Sequence, residues 1–262
     1  MEFYQMTGFM GVETDTADDC SDIRMPDPAD SALFLDFDGT LVEIADRPDG
    51  VVVPQNVVDL LDRAMDRLDG RVALVSGRSV ATLEAFLPGF QGALIGTHGA
   101  EMRAMGGEHL DVVEIDHGTV SRLCRLADDF AALRPEFFVE HKPSGVVLHF
   151  RQAEQHSALA MRFMESLAMA ADGFRLQPAL MAYEIKPEGV GKDIALKRLL
   201  DTDAFRGRTP IYAGDDLTDE PALELVQSRG GVAIKMGHAE TVAEHRLERP
   251  EQLAALLGGW LA

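Results

Sequence analysis

Two carboxylates close an apolar run in Leu33-Phe34-Leu35-Asp36-Phe37-Asp38-Gly39-Thr40. Two apart on an extended segment, Asp36 and Asp38 project to one side and Phe37 to the other. Paired carboxylates at a strand end repel each other and lose solvation. A bound cation, a shared proton or both would offset that cost. Asp is also a common turn and cap residue, so the pair alone leaves an ordinary turn open. A second acidic group, Asp215, Asp216 and Asp219, follows the apolar segment Pro210-Ile211-Tyr212-Ala213-Gly214. Carboxylates converging from two strands form a hard oxygen site with open water positions, which suits Mg²⁺. Ser76-Gly77-Arg78 opens a helix after another apolar strand. Its hydroxyl and backbone N–H groups can hold a phosphate oxygen, although Ser is equally an ordinary N-cap. Lys192 stands at a further helix start, in Gly189-Val190-Gly191-Lys192-Asp193.

One chemistry uses all of these pieces. A carboxylate attacks phosphorus in line and forms an acyl phosphate that water then hydrolyses. A divalent ion brings nucleophile and phosphate together. Lysine and hydroxyl donors spread over the oxygens of the transferring group. The second carboxylate gives a proton to the leaving alcohol and takes one from water. Two other motif readings fail. A P-loop would need Gly where Lys186 stands and Ser or Thr where Asp193 stands. An EF-hand loop would need a ligand at Thr40 and a later glycine than Gly39.

For these residues to meet, strands must carry them to one edge of a sheet, because open parallel sheets bind ligands beyond their strands' carboxyl ends. Short apolar runs predict strands at Leu33–Asp36, Val72–Val75, Ala93–Ile95, Pro210–Ala213 and Gly231–Ile234. Helical spacing predicts helices over Val57–Leu68, Val80–Leu87, Lys192–Leu200, Pro221–Val226 and 250–261. Unalternating strands between helices indicate an α/β fold, a doubly wound, Rossmann-like parallel sheet covered on both faces. The rhythm changes between residues 106 and 186. There helices over 120–133 and 155–171 alternate with strand-like stretches at Leu110–Ile115, Phe137–Glu140, Val146–Arg151 and Leu180–Ile185. This reads as an α+β unit inserted into a core formed by 31–105 and 187–262. Residues 1–30 carry Asp15, Asp18, Asp19, Asp22, Asp27 and Asp30 without an apolar period and read as a disordered or loosely docked tail.

Composition narrows the partners. The 262 residues are 46% hydrophobic and hold 24 Lys and Arg against 44 Asp and Glu, a net charge of -20. Such a surface repels nucleic acid and anionic membranes and leaves a small molecule as the expected partner. No apolar run is long enough to span a bilayer. Cys20 and Cys124 form neither a disulfide framework nor a zinc pattern. A cytoplasmic protein is the default expectation.

The motifs around Asp36, Ser76, Lys192 and Asp215 resemble the four motifs of the haloacid dehalogenase-like (HAD) phosphatases. The resemblance implies that Asp36 is the nucleophile and Asp38 the general acid/base. It makes Ser76, Gly77 and Lys192 the phosphate holders. It places Mg²⁺ on Asp36, the Asp38 carbonyl and Asp215, with Asp216 and Asp219 as near ligands or orienters. A closer resemblance is to the trehalose-6-phosphate phosphatase family. It rests on Gly214-Asp215-Asp216-Leu217-Thr218-Asp219-Glu220, Val75-Ser76-Gly77-Arg78 and Gly96-Thr97-His98-Gly99-Ala100-Glu101. Glu140-His141-Lys142, Leu148-His149-Phe150-Arg151 and Glu184-Ile185-Lys186-Pro187 are also similar. In that family the inserted unit is a cap that reads the sugar. The resemblance therefore implies sugar contacts by Glu140, Lys142 and Glu184. Lys142 is alternatively a phosphate neutraliser. His98 and Glu101 would shape the hinge or touch substrate, and His149 and Arg151 would face the sugar or simply water. Asp193 stands where the family usually has Gly, which implies a changed helix start.

The function implied is Mg²⁺-dependent hydrolysis of trehalose 6-phosphate through an aspartyl phosphate. The alternatives are a related phosphatase of sucrose-, glucosyl- or mannosylglycerate phosphate, and a sugar-phosphate sensor on the same scaffold.

Overall fold

The computed structural model describes residues 23–44, 50–107, 109–110, 115–142, 144–179 and 181–262. Strands are numbered along the chain. The first sheet contains β1 (Ser31–Asp36), β2 (Val72–Val75), β3 (Ala93–Gly96), β4 (Glu101–Arg103), β5 (His109–Leu110), β10 (Thr209–Gly214), β11 (Val232–Met236) and β12 (His245–Leu247). Its order is β12-β11-β10-β1-β2-β3-β4-β5. All neighbours are parallel up to β3, and β4 and β5 continue antiparallel. The chain leaves β1 to build one half of the sheet and returns to β10 to build the other. The strand order therefore reverses at β1, where such sheets bind ligands.

Every residue of β1 is buried. Leu33, Leu35 and Phe37 enter a core with α1 (Gln55–Arg67), α2 (Val80–Phe86) and α7 (Pro250–Trp260). Ala32 and Phe34 enter a second core on the opposite face with α5 (Lys192–Leu200) and α6 (Glu220–Ser228). Helix layers on both faces explain why these strands are apolar throughout.

The second sheet contains β6 (Phe138–Lys142), β7 (Gly145–His149), β8 (Phe174–Ala179) and β9 (Ala182–Pro187), in the antiparallel order β6-β7-β9-β8. Helices α3 (His117–Ala131) and α4 (Ser157–Met169) cover one face, packing on Val146, Leu148 and Ile185. The other face carries Glu140 opposite Val147, Val147 opposite Glu184, and Glu184 opposite Gln177. Glu184 and Lys186 on this face are buried although no helix of the second unit covers them.

Four elements differ from the sequence reading, the first being β4 (Glu101–Arg103), which no expected strand covers. His109–Leu110 pairs with β4 in the first sheet, where Leu110–Ile115 is expected in the inserted unit; residues 111–114 lie outside the described residues. Strand β8 goes unread; it is an edge strand, where its Pro178 is tolerated. Strand β12 is too short, and too polar at His245 and Arg246, to show a pattern. The end of the acidic N-terminal stretch is packed. Ile23 is buried, Trp260 Nε1 donates to the Pro26 carbonyl at 2.6 Å, and Arg71 Nη2 and Arg208 Nη1 each donate to the Ala29 carbonyl at 3.0 Å. The rest of that stretch, 1–22 with Cys20, lies outside the described residues. Cys124 is a buried free thiol. Among the described residues no helix is long and apolar enough to cross a membrane.

Candidate active site

Asp36 ends the central strand and is 4% exposed. Lys192, the first residue of α5, reaches it from the opposite side of the site. Its Nζ donates to Asp36 Oδ1 and to Asp219 Oδ1, both at 2.7 Å. Asp219 is fully buried. Its Oδ1 also accepts the Tyr212 hydroxyl at 2.5 Å, and its Oδ2 accepts the Asp216 N–H at 3.0 Å. Burial pushes the Asp36 carboxyl well above its ordinary pKa; Lys192 opposes the rise, and Asp219 and Asp215 add to it. Burial alone would lower the Lys192 ammonium, but Asp36 and Asp219 outweigh it and hold it above its ordinary value.

Carboxylate oxygens of Asp36, Asp215 and Asp219 all lie within 4.8 Å of one another. Asp215 is pushed up to about 6, by burial first and then by Asp219 and Asp216. Three crowded, hard oxygen donors, two of them reluctant to ionise, fit a divalent cation, which relieves their repulsion. Gly39 makes room for this cluster. Its φ is +79°, and a Cβ there would lie 2.2 Å from Asp215 Oδ2. Of the expected metal residues, Asp36 and Asp215 are in the cluster. The Asp38 carboxylate is not, because it is turned to Arg78. Asp216 is exposed; it caps the helical turn Leu217–Asp219 and accepts the Thr218 hydroxyl at 3.2 Å. Asp219 takes the inward position instead.

Ser76 stands just beyond β2, next to Asp36, which pairs with Val75. The serine is 1% exposed, and its Oγ accepts the Arg78 N–H at 3.1 Å, which leaves its own proton for a ligand oxygen. Gly77 lies under the His98 ring; a Cβ would come within 2.7 Å of it. His98 adopts φ 53°, and its Nδ1 is buried without a partner. Burial, then the cations Lys142, Lys192 and Lys186, push its pKa down to about 3, so the ring is neutral. Glu101 does not point to a substrate position. Its Oε1 accepts the Thr97 hydroxyl at 2.6 Å and its Oε2 the Val80 N–H at 2.8 Å, so it pins the loop to α2.

Arg78 is the residue that sequence reasoning passes over. Its Nε and Nη2 hold the two Asp38 oxygens at 2.7 and 2.8 Å, and its guanidinium lies 5.1 Å from the Phe86 ring centroid. The signal was its place directly after Ser76-Gly77.

The trehalose-phosphatase family profile matches residues 34–252. The chain belongs to the trehalose-phosphatase family. The activity class of that family is phosphoric monoester hydrolysis. The chain is 36% identical over 216 residues to the trehalose-6-phosphate phosphatase of Escherichia coli K12, covering 82% of this chain and 81% of the relative. The fold is similar to that of an Aspergillus fumigatus trehalose-6-phosphate phosphatase, with TM-score 0.71 and 22% identity over 89% of this chain and 93% of the other. It is also similar to a haloacid dehalogenase-like hydrolase from B. subtilis, with TM-score 0.59 and 18% identity over 86% of this chain and 98% of the other. The first sheet and its helices are thus a HAD core, and the second sheet with α3 and α4 is its cap.

On this trehalose-phosphatase family member the cap's open face carries two charged pairs. Lys142 Nζ lies 3.3 Å from Glu184 Oε1, and His149 Nε2 lies 3.0 Å from Glu140 Oε2. The face thus brings Glu140, Lys142 and Glu184 together. Arg151 is not with them. It lies exposed in the turn after β7 and has no hydrogen bond or ion pair among the described residues. Lys186 and Arg175 share a cavity with His98, Gly191, Lys192 and Thr218. Sequence reading gave neither a role, although Lys186 is two residues beyond Glu184 on one strand and so shares its face.

Proposed function

We propose that this chain hydrolyses trehalose 6-phosphate to trehalose and phosphate through an aspartyl phosphate on Asp36, with Mg²⁺ as its metal. The observation that carries the reading is Asp36 itself. It is a buried carboxylate at the end of the central strand, with Lys192 Nζ at 2.7 Å and Asp215 and Asp219 beside it.

Asp36 and Asp215, with the Asp38 carbonyl, would hold the metal, and Asp219 stands next to them. Bound there, the ion neutralises charge between carboxylate and phosphate. An Asp36 oxygen attacks phosphorus in line, and the bond to the sugar oxygen breaks. Asp38 gives its proton to that oxygen, and trehalose leaves. Asp38 then takes a proton from water, whose oxygen attacks phosphorus and restores Asp36. Lys192 and the Ser76 hydroxyl hold the non-bridging oxygens through both steps. Glu140, Lys142 and Glu184 face the sugar from the cap. Carboxylates and an ammonium suit hydroxyl groups, which both donate and accept.

The test is phosphate release from trehalose 6-phosphate, sucrose 6-phosphate, glucose 6-phosphate and mannosylglycerate phosphate, each with Mg²⁺ and with chelator. The reading expects a clear preference for trehalose 6-phosphate and loss of turnover on chelation. Preference for another sugar would transfer the chemistry to that substrate. Binding of trehalose 6-phosphate without turnover would make the chain a sensor. Asp36→Asn, folded but inactive, completes the test, because an amide cannot form the acyl phosphate.

A further inference from the structure

The cap's open face carries two cations that the reaction just described does not use, Lys186 and Arg175, beside Lys142, which it does. Lys142 stands opposite Gly145 and Arg175 opposite Lys186, on adjoining strands. Gly145 has no side chain to separate the strands, and a Cβ there would lie 3.3 Å from Lys186 Cα. Lys142 is paired with Glu184. Lys186 is only 7% exposed, yet its ammonium has no hydrogen bond or ion pair among the described residues. Burial loosens its hold on the proton, as do Arg175 and Lys142, against the pull of Glu184 and Asp193. Neighbouring like charges destabilise a sheet, and a nearby counter-charge would offset the crowding around the largely buried Lys186.

Lys186 lines a cavity of about 240 Å³ between β8–β9 and the start of α5. Other unused polar groups line the same space. Arg175 Nε and His98 Nδ1 are both buried without a partner. Helix α5 opens onto the cavity through Gly191 and Lys192, and no side chain caps its N-terminus. The Lys192 ammonium is already held by Asp36 and Asp219. Asp193 brings an opposing charge, but it folds back, its Oδ1 only 2.4 Å from where a Gly191 Cβ would stand. What remains around one small space is the Lys186 ammonium, the Nε of an Arg175 guanidinium whose Nη2 donates to the Val190 carbonyl at 3.4 Å, a neutral imidazole and a helix start with no side-chain cap. A neutral sugar would leave Lys186 uncompensated. A tetrahedral oxyanion would give each of these groups an acceptor, at a helix end that favours negative charge.

We propose that this cavity is a second oxyanion site, separate from the catalytic phosphate position, and that it takes the inorganic phosphate released by the reaction. The anion site stands on the geometry; its assignment to the product rests on the phosphatase reading.

The test is calorimetric titration of the metal-free full chain with sulfate. Without metal, no divalent cation draws sulfate to the catalytic position. Saturable sulfate binding is expected. It should weaken about tenfold in Lys186→Met and in Arg175→Met, each losing a charge-assisted hydrogen bond, and stay unchanged in Arg122→Met on the outer helix α3. Circular dichroism establishes that each variant is folded. In turnover, Lys186→Met should raise the inhibition constant for phosphate without changing KM for trehalose 6-phosphate. Absence of saturable binding to the folded parent, or equal binding by both folded variants, overturns the site. A raised KM with an unchanged phosphate inhibition constant places the substrate's phosphoryl group there and overturns the product assignment. Sulfate binding that depends on Lys186 in a chain that does not turn over trehalose 6-phosphate supports the anion site and removes the substrate reading.

Discussion

Asp38 and Arg78 meet in a two-pronged ion pair, with Oδ2 to Nε at 2.7 Å and Oδ1 to Nη2 at 2.8 Å. The planar fork sets both oxygens at once, and packing on Phe86 steadies the fork. In the proposed reaction Asp38 must release at least one prong to hand a proton to the leaving sugar oxygen, so Arg78 would decide where that carboxylate waits. Arg78→Met should lower kcat by on the order of 10²-fold, the lower end of what a placed acid/base contributes, with KM nearly constant. Arg78→Lys should recover only part, because an ammonium cannot hold both oxygens in one plane. Steady-state kinetics on trehalose 6-phosphate decide it; a normal kcat in the Met variant would show that Asp38 needs no such support.

Asp215 would link the proposed metal to pH. Its folded-state pKa is raised to about 6, chiefly by burial. Between the ordinary carboxylate range and about 6 the folded chain therefore binds more protons than the unfolded one. The stability contributed by the protonated group is present at low pH and is lost as pH rises through about 6. A cation must displace that proton, so metal affinity moves the other way. Calorimetry on chelator-treated protein should show Mg²⁺ affinity falling as pH drops below about 6, approaching tenfold per unit. An affinity flat from pH 5 to 7 would remove Asp215 as a ligand.

Gly39 has two reasons to be glycine. Its φ of +79° strains any other residue, and its missing Cβ is where Asp215 Oδ2 sits. Gly39→Ala should cost about 1–3 kcal/mol of stability, the range for a strained backbone position. It should also displace Asp215. Thermal melts with and without Mg²⁺ separate the two effects: the metal-induced rise in Tm should shrink along with the Tm itself. A full Mg²⁺ shift in a destabilised variant would confine Gly39 to the turn.

The parts of this architecture that obey a local rule were legible in the sequence. The strands around Asp36, Ser76 and Asp215 are short, apolar and buried on both faces, and each is followed by a polar turn, so their carboxyl ends could be aligned without coordinates. Lys192 could be placed at a helix start. What it holds could not be read, because Asp36 and Asp219 lie 156 and 27 residues away. Separation in sequence, 40 residues, also hid the Arg78–Asp38 pair, while the choice between Asp216 and Asp219 is local. Only the fold of the turn after Gly214 decides which carboxylate faces inward. Glu101 could have been placed by its neighbourhood, since its partners Thr97 and Val80 lie close in sequence.

Glu184 tests what the cap reads. It is buried, its Oε1 lies 3.3 Å from Lys142 Nζ, and it shares a face with Glu140. None of these groups touches the reacting carboxylates. Glu184→Ala should therefore reduce kcat/KM for trehalose 6-phosphate strongly and for a small aryl phosphate little, since only the sugar ester draws on remote binding energy. Equal losses on both substrates would mean that the pair shapes the cap instead of reading sugar.

Tyr212 reaches the chemistry through Asp219. The fully buried Asp219 carboxylate is held by the Lys192 ammonium, the Tyr212 hydroxyl and the Asp216 N–H, and Lys192 in turn holds Asp36. Removing the hydroxyl leaves one buried oxygen a donor short. Tyr212→Phe should cost about 1–3 kcal/mol of stability, and it lets Asp219 shift toward Lys192. Asp219→Asn removes the charge that balances Lys192 and should depress kcat far more than Tyr212→Phe does. If Tyr212 acts through Asp219, the two changes are not additive, and the double variant should be little slower than Asp219→Asn alone. Losses in kcat that multiply would place Tyr212 in the core as a packing residue with no part in orienting the lysine.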